Sequence, residues 1–226
     1  MVSAILLAAG SGKRLKMPMP KPLVKAGSQP IIIHSLKALD RHPAINEIII
    51  VASITNRKAI AAAIKKHSFK KIKAICFGGR RRQDSVRNGL KEVSLASRWI
   101  LIHDSARPFI GRKFISEVIS AAKKTGAAII GVPVKSTIKS VKTESFVDKT
   151  ISRSNLWEIQ TPQVFKKELI ADAYRKYSKG NVTDDASLVE KSGRAVKVVM
   201  GSYKNIKITT REDLLFAGFI AERKAL

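Results

Sequence analysis

Three segments of the 226-residue chain set glycines or an acid beside groups that can handle phosphate. The first is Ala8-Ala9-Gly10-Ser11-Gly12-Lys13-Arg14, followed by Pro20-Lys21-Pro22. Glycines let the backbone approach a ligand closely and turn N–H groups toward an anion. Arg14 adds a planar fork of donors and Lys21 a compact point charge. The segment is neither a GxxxxGK(S/T) phosphate loop nor a GxGxxG dinucleotide fingerprint. Its alternative reading is an ordinary glycine turn with basic residues on the surface. The second segment is Gly78-Gly79-Arg80-Arg81-Arg82-Gln83-Asp84-Ser85. It suits the wall of a base or ribose pocket, or a plain helix start capped by Asp84 or Ser85. The third is His103-Asp104-Ser105-Ala106-Arg107-Pro108. Asp104 is a candidate metal or hydroxyl contact; the plainer alternative is a loop salt bridge to Arg107. No nucleophile–base triad is evident, and His34, His42, His67 and His103 all read as structural.

Each segment follows an apolar run. Ala4–Leu7, Ile48–Val51, Ile72–Phe77, Trp99–Ile102 and Ala127–Val132 read as strands buried on both faces. Helical patterns separate them. Pro30 opens one, where its missing N–H costs nothing, and Ile32, Leu36 and Leu39 form its apolar face. Others run through Ile60, Ala63 and Ile64, through Val86 to Val93, and through Phe114, Val118, Ile119 and Ala122 to a stop at Gly126. The expected fold is α/β: a doubly wound, mostly parallel sheet sandwiched by helices, with ligands at the carboxyl ends of its strands.

The alternation breaks between about Lys135 and Ile151. Thr137–Lys142 and Phe146–Ile151 are polar, β-prone runs around Thr143-Glu144-Ser145, a β-hairpin signal. Residues 135–152 are expected to project as an arm toward a partner subunit. Helical patterning resumes at Leu169, Ala173 and Tyr177, and Thr210-Arg211-Glu212-Asp213 is a capping box for a tail helix. With no repeat or linker, residues 1–226 are expected to form one domain.

Composition narrows the classes. Hydrophobic residues make up 45%, which is globular rather than disordered. The single cysteine, Cys76, excludes an internal disulfide and a Cys-rich zinc site. No apolar run reaches about 18 residues, so no membrane-spanning helix is expected. The start reads as a strand rather than a signal peptide, and a cytoplasmic location is the expectation. Lys and Arg number 43 against 17 acids, a net charge of +26. That balance points to polyanionic partners: nucleic acid, phosphorylated small molecules or an anionic surface. The alternative is a solvated surface biased toward lysine, since the basic residues spread along the chain. The dense run is Arg80-Arg81-Arg82, preceded by Lys65, Lys66, Lys70, Lys71 and Lys73.

Together the motifs resemble the 2-C-methyl-D-erythritol 4-phosphate cytidylyltransferase family, within the nucleotidyltransferase superfamily. The resemblance rests on Leu7–Arg14 with Pro20-Lys21, Gly78-Gly79 to Ser85-Val86, His103–Pro108, Pro133–Lys139, Arg153–Trp157, Thr161-Pro162-Gln163, Thr183–Ala186 and Asn205–Thr209. Two positions depart from the family pattern: Ser136 replaces an acid before Thr137, and Pro22 follows Lys21 in place of glutamine.

The resemblance implies CMP transfer from CTP to methylerythritol 4-phosphate, releasing pyrophosphate, in non-mevalonate isoprenoid synthesis. It implies that Arg14 and Lys21 stabilise the α-phosphate, and that Arg153 and Lys207 hold the sugar phosphate. Asp104, Arg107, Thr137 and Thr183 would contact the sugar alcohol. Ala8, Ala9, Gly10, Gly12, Gly79, Arg82 and Ser85 would bind the nucleotide. Mg²⁺ is expected on the triphosphate oxygens, with Asp104 a nearby acid and no firm protein ligand. The resemblance further implies a homodimer through the arm, with Arg153 and Thr137 reaching the neighbouring site. Lys207 alternates with Ile206 and Ile208, which is also an ordinary strand pattern. The nearest rival is a cytidylyltransferase for another sugar-alcohol phosphate, such as ribitol 5-phosphate. A nucleic-acid-binding protein is the rival from another class, but 6% aromatic content leaves few stacking platforms.

Overall fold

The computed structural model describes residues 1–10, 12–177, 180 and 182–223; Ser11 of the first motif lies outside them. The chain opens with β1 (Val2–Ala8), the small pair β2 (Lys25–Ala26) and β3 (Gln29–Pro30), and α1 (Ile31–Asp40). Then come β4 (Glu47–Ala52), α2 (Arg57–Lys65), β5 (Ile72–Phe77), α3 (Arg82–Lys91), β6 (Trp99–Asp104), α4 (Arg112–Thr125) and β7 (Ala127–Pro133). A hairpin, β8 (Ile138–Val141) and β9 (Val147–Ile151), precedes β10 (Trp157–Lys166), α5 (Lys167–Tyr177), α6 (Ala186–Lys191), β11 (Lys197–Met200) and α7 (Arg211–Arg223). All five expected strands form, each within two residues of the apolar run that marks it, but β5 is not buried on both faces: it is the edge strand of the sheet, with Lys73 and Phe77 exposed.

Seven strands make one sheet in the order β11-β7-β10-β6-β1-β4-β5. β10 alone runs antiparallel to its neighbours. Side chains alternate across the pleat. In β1, Ala4, Leu6 and Ala8 enter one apolar layer with Leu36 of α1, Ile60 of α2 and Ile119 of α4. Ile5 enters the opposite layer with Val86 of α3, Ala173 of α5 and Leu188 of α6. A third cluster packs Leu15, Val24, Ile31, Phe109 and Ile208 under Ala217 and Ile220 of α7. It pins two irregular segments, the one after β1 and the one before α7, over the same end of the sheet.

From β1 the strands step outward through β4 to β5, then return to β6 on the other side of β1. The switch point therefore lies between β1 and β6, where a crevice opens at the carboxyl ends. Their tips are level: Leu7 pairs with Asp104, and the Ser105 N–H donates to the Leu7 carbonyl at 3.0 Å.

Three local differences from the sequence reading have physical causes. Pro30 stands just before α1 rather than inside it. Residues 205–209 are irregular rather than a strand, held instead by Ile208, whose N–H donates to the Ala106 carbonyl at 2.9 Å. β10 carries no buried-strand signal, because Gln160, Thr161, Pro162 and Gln163 interrupt it. Proline has no N–H for a ladder, and the pairing to β7 shifts register between Ile159 and Gln163.

At the amino-terminal edge of the sheet, Glu47 is buried among hydroxyls. Its carboxylate accepts from Ser3 Oγ at 2.6 Å, from the Ser94 N–H at 2.9 Å and from Ser94 Oγ at 2.5 Å. Burial alone would raise this carboxyl's pKa, but the Ser3 and Ser94 hydrogen bonds outweigh it and hold the value below the ordinary 4.5. A depressed carboxyl pKa stabilises the fold above the unfolded value and loses that contribution as pH falls through the folded one. Glu47→Gln should therefore lower unfolding free energy at neutral pH by about 1–3 kcal/mol. In denaturant titrations the gap to wild type should close as pH falls below 4.5; a gap that stays constant would contradict this origin.

Candidate active site

After β1 the chain turns through Gly10 and Gly12 into a 3-10 turn, Lys13–Leu15. Gly12 has φ +66°, and a Cβ there would stand 2.7 Å from Lys21 Cβ. Glycine is what lets the two arms of this loop close. Leu15 is buried in the third cluster, so the following stretch returns Lys21 to the cleft, with buried Pro22 fixing its turn. Burial, then the charges of Lys207 and Arg14, push the Lys21 ammonium down to about 8, against the opposing pull of Asp104.

Gly78-Gly79 joins β5 to α3 at close quarters, since a Cβ on Gly79 would lie 2.3 Å from Asp84 Cβ. Of the two capping alternatives, Asp84 caps α3 and Ser85 does not. Asp84 accepts from the Arg81 N–H at 3.1 Å and its acidity rises to a pKa of about 2 through hydrogen bonds from Arg81. Ser85 Oγ accepts from the Gly79 N–H at 3.1 Å and donates to the Arg81 carbonyl at 3.2 Å.

Asp104 ends β6. Its Oδ1 meets Arg82 Nε at 3.2 Å and its Oδ2 meets Lys207 Nζ at 2.7 Å. Burial opposes ionisation here, but Arg82 and Lys207 outweigh it and hold the carboxyl far below its ordinary range. Behind it, the Asp104 N–H donates to Thr161 Oγ1 at 3.0 Å. Thr161 in turn faces His103 Nδ1 at 3.0 Å, while His103 Nε2 meets the Arg107 carbonyl at 3.0 Å. A carbonyl only accepts, so Nε2 carries the proton and Nδ1 accepts from the threonine. Burial keeps this imidazole neutral, with its pKa pushed down to about 4. His103 is therefore a strut, as its sequence context suggested.

The cleft over these tips holds about 460 Å³, within the range of small-molecule sites. It brings together Ala8, Ala9, Gly10, Gly12, Arg14, Lys21, Gly79, Arg82, Ser85, Asp104 and Lys207. Arg80 and Arg81 also line it; the sequence marked them only as a basic run. Among the described residues the lining carries six cations and one acid, a site for a polyanion.

Four expected residues lie outside this lining. Arg107 does not pair with Asp104 and does not face the cleft. It is buried, and its guanidinium donates to the carbonyls of Asn205 at 2.8 Å and Ile159 at 3.3 Å. It braces the β6 tip against the segment that carries Lys207. Thr137 and Arg153 are exposed at the foot of the arm, where Arg153 donates to the Lys135 carbonyl. Thr183 is exposed ahead of α6.

No group of three or more His, Cys, Asp or Glu residues able to hold a metal exists among the described residues. Asp104, the acid of the cleft, already has a cation on each oxygen. This donor set does not fit a metal held by the protein alone.

Comparison with known proteins gives the same architecture. The family model described as IspD: 2-C-methyl-D-erythritol 4-phosphate cytidylyltransferase matches residues 2–223. The enzyme of that name from Geobacillus thermodenitrificans is 45% identical over 216 residues, 95% of this chain and 94% of the relative. That from Alkaliphilus metalliredigens is 43% identical over 227 residues, 99% of this chain and 94% of the relative. The crystal structure of the 4-diphosphocytidyl-2C-methyl-D-erythritol synthase of Anaerococcus prevotii superposes with a TM-score of 0.86. It is 36% identical and covers 98% of this chain and 96% of its own. A seven-stranded sheet with one reversed strand, a cationic cleft at its switch point and these relatives lead to one conclusion: the chain belongs to the 2-C-methyl-D-erythritol 4-phosphate cytidylyltransferase family.

Proposed function

We propose that this protein transfers CMP from CTP to 2-C-methyl-D-erythritol 4-phosphate, releasing pyrophosphate. The observation that carries the reading is the convergence of Arg14, Lys21, Arg82 and Lys207 on one cleft at the switch point. The attacking phosphomonoester has a second pKa of about 6 and is mostly a dianion at neutral pH. No base need remove a proton from it, which suits a cleft whose nearest imidazole, His103, is a buried neutral strut. One oxygen of the sugar phosphate bonds to the α-phosphorus of CTP while the bond to the departing pyrophosphate breaks in line. The barrier is repulsion between two polyanions and the charge that spreads over the α-phosphate oxygens.

In this reading Arg14 and Lys21 face the α-phosphate. Lys207, oriented by Asp104, faces the sugar phosphate. The backbone of Ala8, Ala9, Gly10, Gly12 and Gly79, walled by Ser85 and Arg82, surrounds the nucleoside. Mg²⁺ arrives as part of the substrate, on the triphosphate. Among the described residues no helix is long and apolar enough to cross a membrane. We place the enzyme in a reducing compartment, the cytoplasm, that keeps Cys76 a thiol.

Thr137 and Arg153 enter only if a second subunit brings them. The arm that carries them exposes Val141, Phe146 and Val147 by 53, 69 and 59%, apolar surface suited to a homodimer.

Pyrophosphate release from CTP, assayed with methylerythritol 4-phosphate and with ribitol 5-phosphate in turn, tests the activity; release with the first alone is expected. Lys21→Ala should lower kcat roughly 10²–10³-fold, about 3–4 kcal/mol, with unchanged thermal unfolding. A variant within a few-fold of wild type removes Lys21 from the mechanism. Because the free enzyme's Lys21 discharges at a pKa of about 8, kcat/KM for CTP should decline as pH rises through that value. Lys21→Arg should abolish that limb.

Mixing Lys21→Ala with Arg153→Ala protein tests the shared site. Random reassortment would give half heterodimers with one intact site of two, recovering about a quarter of wild-type activity. No recovery would mean Arg153 serves its own subunit or none. Finally, if the +26 charge steers both anions inward, kcat/KM should fall with ionic strength while kcat holds; equal sensitivity of the two would argue against steering.

A further inference from the structure

The Thr183–Ala186 motif has no side chain in the cleft lining, yet its third residue, Asp185, is fully buried. Its Oδ2 lies 2.8 Å from Arg82 Nη2, and its Oδ1 accepts from Tyr174 Oη at 2.5 Å. The carboxylate is fixed from behind as well. The N–H groups of Asp185 and Ala186 both donate to Gln163 Oε1 at 3.2 Å, and Gln163 Nε2 donates to Asp184 Oδ2 at 2.8 Å. Asp185 is thus bolted to β10 and α5 and offers one oxygen forward to Arg82.

Arg82 stands between two acids. Its Nη2 takes Asp185 and its Nε takes Oδ1 of Asp104 at 3.2 Å, which leaves Oδ2 of Asp104 to Lys207 at 2.7 Å. An arginine with a single carboxylate partner prefers to grip both of its oxygens. Released from Asp185, Arg82 would close on Asp104 and compete with Lys207 for Oδ2. We propose that Asp185 and Tyr174 are positioning residues: by tethering Arg82 they hold Asp104 open to Lys207 and so set the end of the cleft that receives the sugar-alcohol phosphate. Burial works against the Arg82 charge, but Asp185 and Asp104 outweigh it and hold the guanidinium more firmly protonated than usual.

This inference rests on the proposed cytidylyl transfer for its kinetic test. Asp185→Asn should raise KM for methylerythritol 4-phosphate about tenfold or more while KM for CTP moves less than about threefold, as for loss of one charge-assisted contact. Arg82→Gln should raise KM for methylerythritol 4-phosphate at least as much, and KM for CTP with it, because Arg82 also walls the nucleoside. The double variant should be no worse than Arg82→Gln alone, because Asp185 acts only through Arg82. Losses that multiply would show that Asp185 props α6 independently, and an unchanged KM in Asp185→Asn would also overturn the proposal. If Asp185→Asn fails to fold, Tyr174→Phe and Arg82→Lys take its place. The first loosens the tether, and the second cannot span both carboxylates with one ammonium; both must raise KM for methylerythritol 4-phosphate, Tyr174→Phe with KM for CTP little changed, and silence in either overturns it. If wild type releases no pyrophosphate from this substrate pair, the functional reading fails separately. The positioning claim is then read from crystals of Asp185→Asn or Tyr174→Phe, where Arg82 should sit on both oxygens of Asp104; an unmoved Arg82 refutes it.

Discussion

Holding like charges together is the constraint that organises this end of the molecule. Six cations of the described chain face one cleft, and their repulsion must be met by something other than solvent. Lys21 shows the cost most directly, since burial and its neighbours bring its pKa down to about 8. The fold meets that cost with pins placed behind each cation. Leu15 and Ile208 sink into the cluster beneath α7, and the Gly12 turn closes against Lys21. Arg107 ties the β6 tip to residue 205. Asp104 and Asp185 take Arg82 from two sides.

This division of labour explains which parts were legible in the sequence. Strands announce themselves as apolar runs, so β1, β4, β6 and β7, and with them the part-buried edge strand β5, are readable, and so is the parallel sheet. The loops that matter follow those strands, so Arg14, Lys21, Gly79 and Asp104 were found by asking what stands at each tip. β10 was not readable, because its middle is polar and carries Pro162, and its neighbours in the sheet are distant in sequence. Most of what was missed follows from that one strand. Thr161 and Gln163 are its inward hydrogen-bonding groups, and they orient Asp104 and Asp185 respectively.

The same reasoning separates lining from support among the motif residues. Proximity in sequence suggests a salt bridge from Arg107 to Asp104, and the family resemblance implies a contact to the sugar alcohol; a three-residue step in a tight loop says nothing about direction. Its guanidinium points away, into backbone carbonyls of β10 and the 205–209 segment. For Lys207 the resemblance implies a functional role, while the flanking isoleucines also fit an ordinary strand. Ile208 is an anchor under α7 instead, which turns the intervening lysine toward Asp104. In both cases the deciding information is a partner about 50 to 100 residues away, which local pattern cannot contain.

A cleft built of cations also changes where pH dependence should reside. A nucleophile already ionised near neutrality leaves no proton to be moved in the chemical step. In the proposed reaction the titrating group is Lys21, whose pKa is lowered by burial and by the neighbouring cations Lys207 and Arg14. An anion placed beside it favours the charged form and draws its pKa back upward. Binding and protonation are thereby linked: above the free value, part of the binding free energy goes into recharging this lysine before the triphosphate is held. The proton then belongs to assembly of the complex, and the transfer of the cytidylyl group proceeds in a site whose charges are already set.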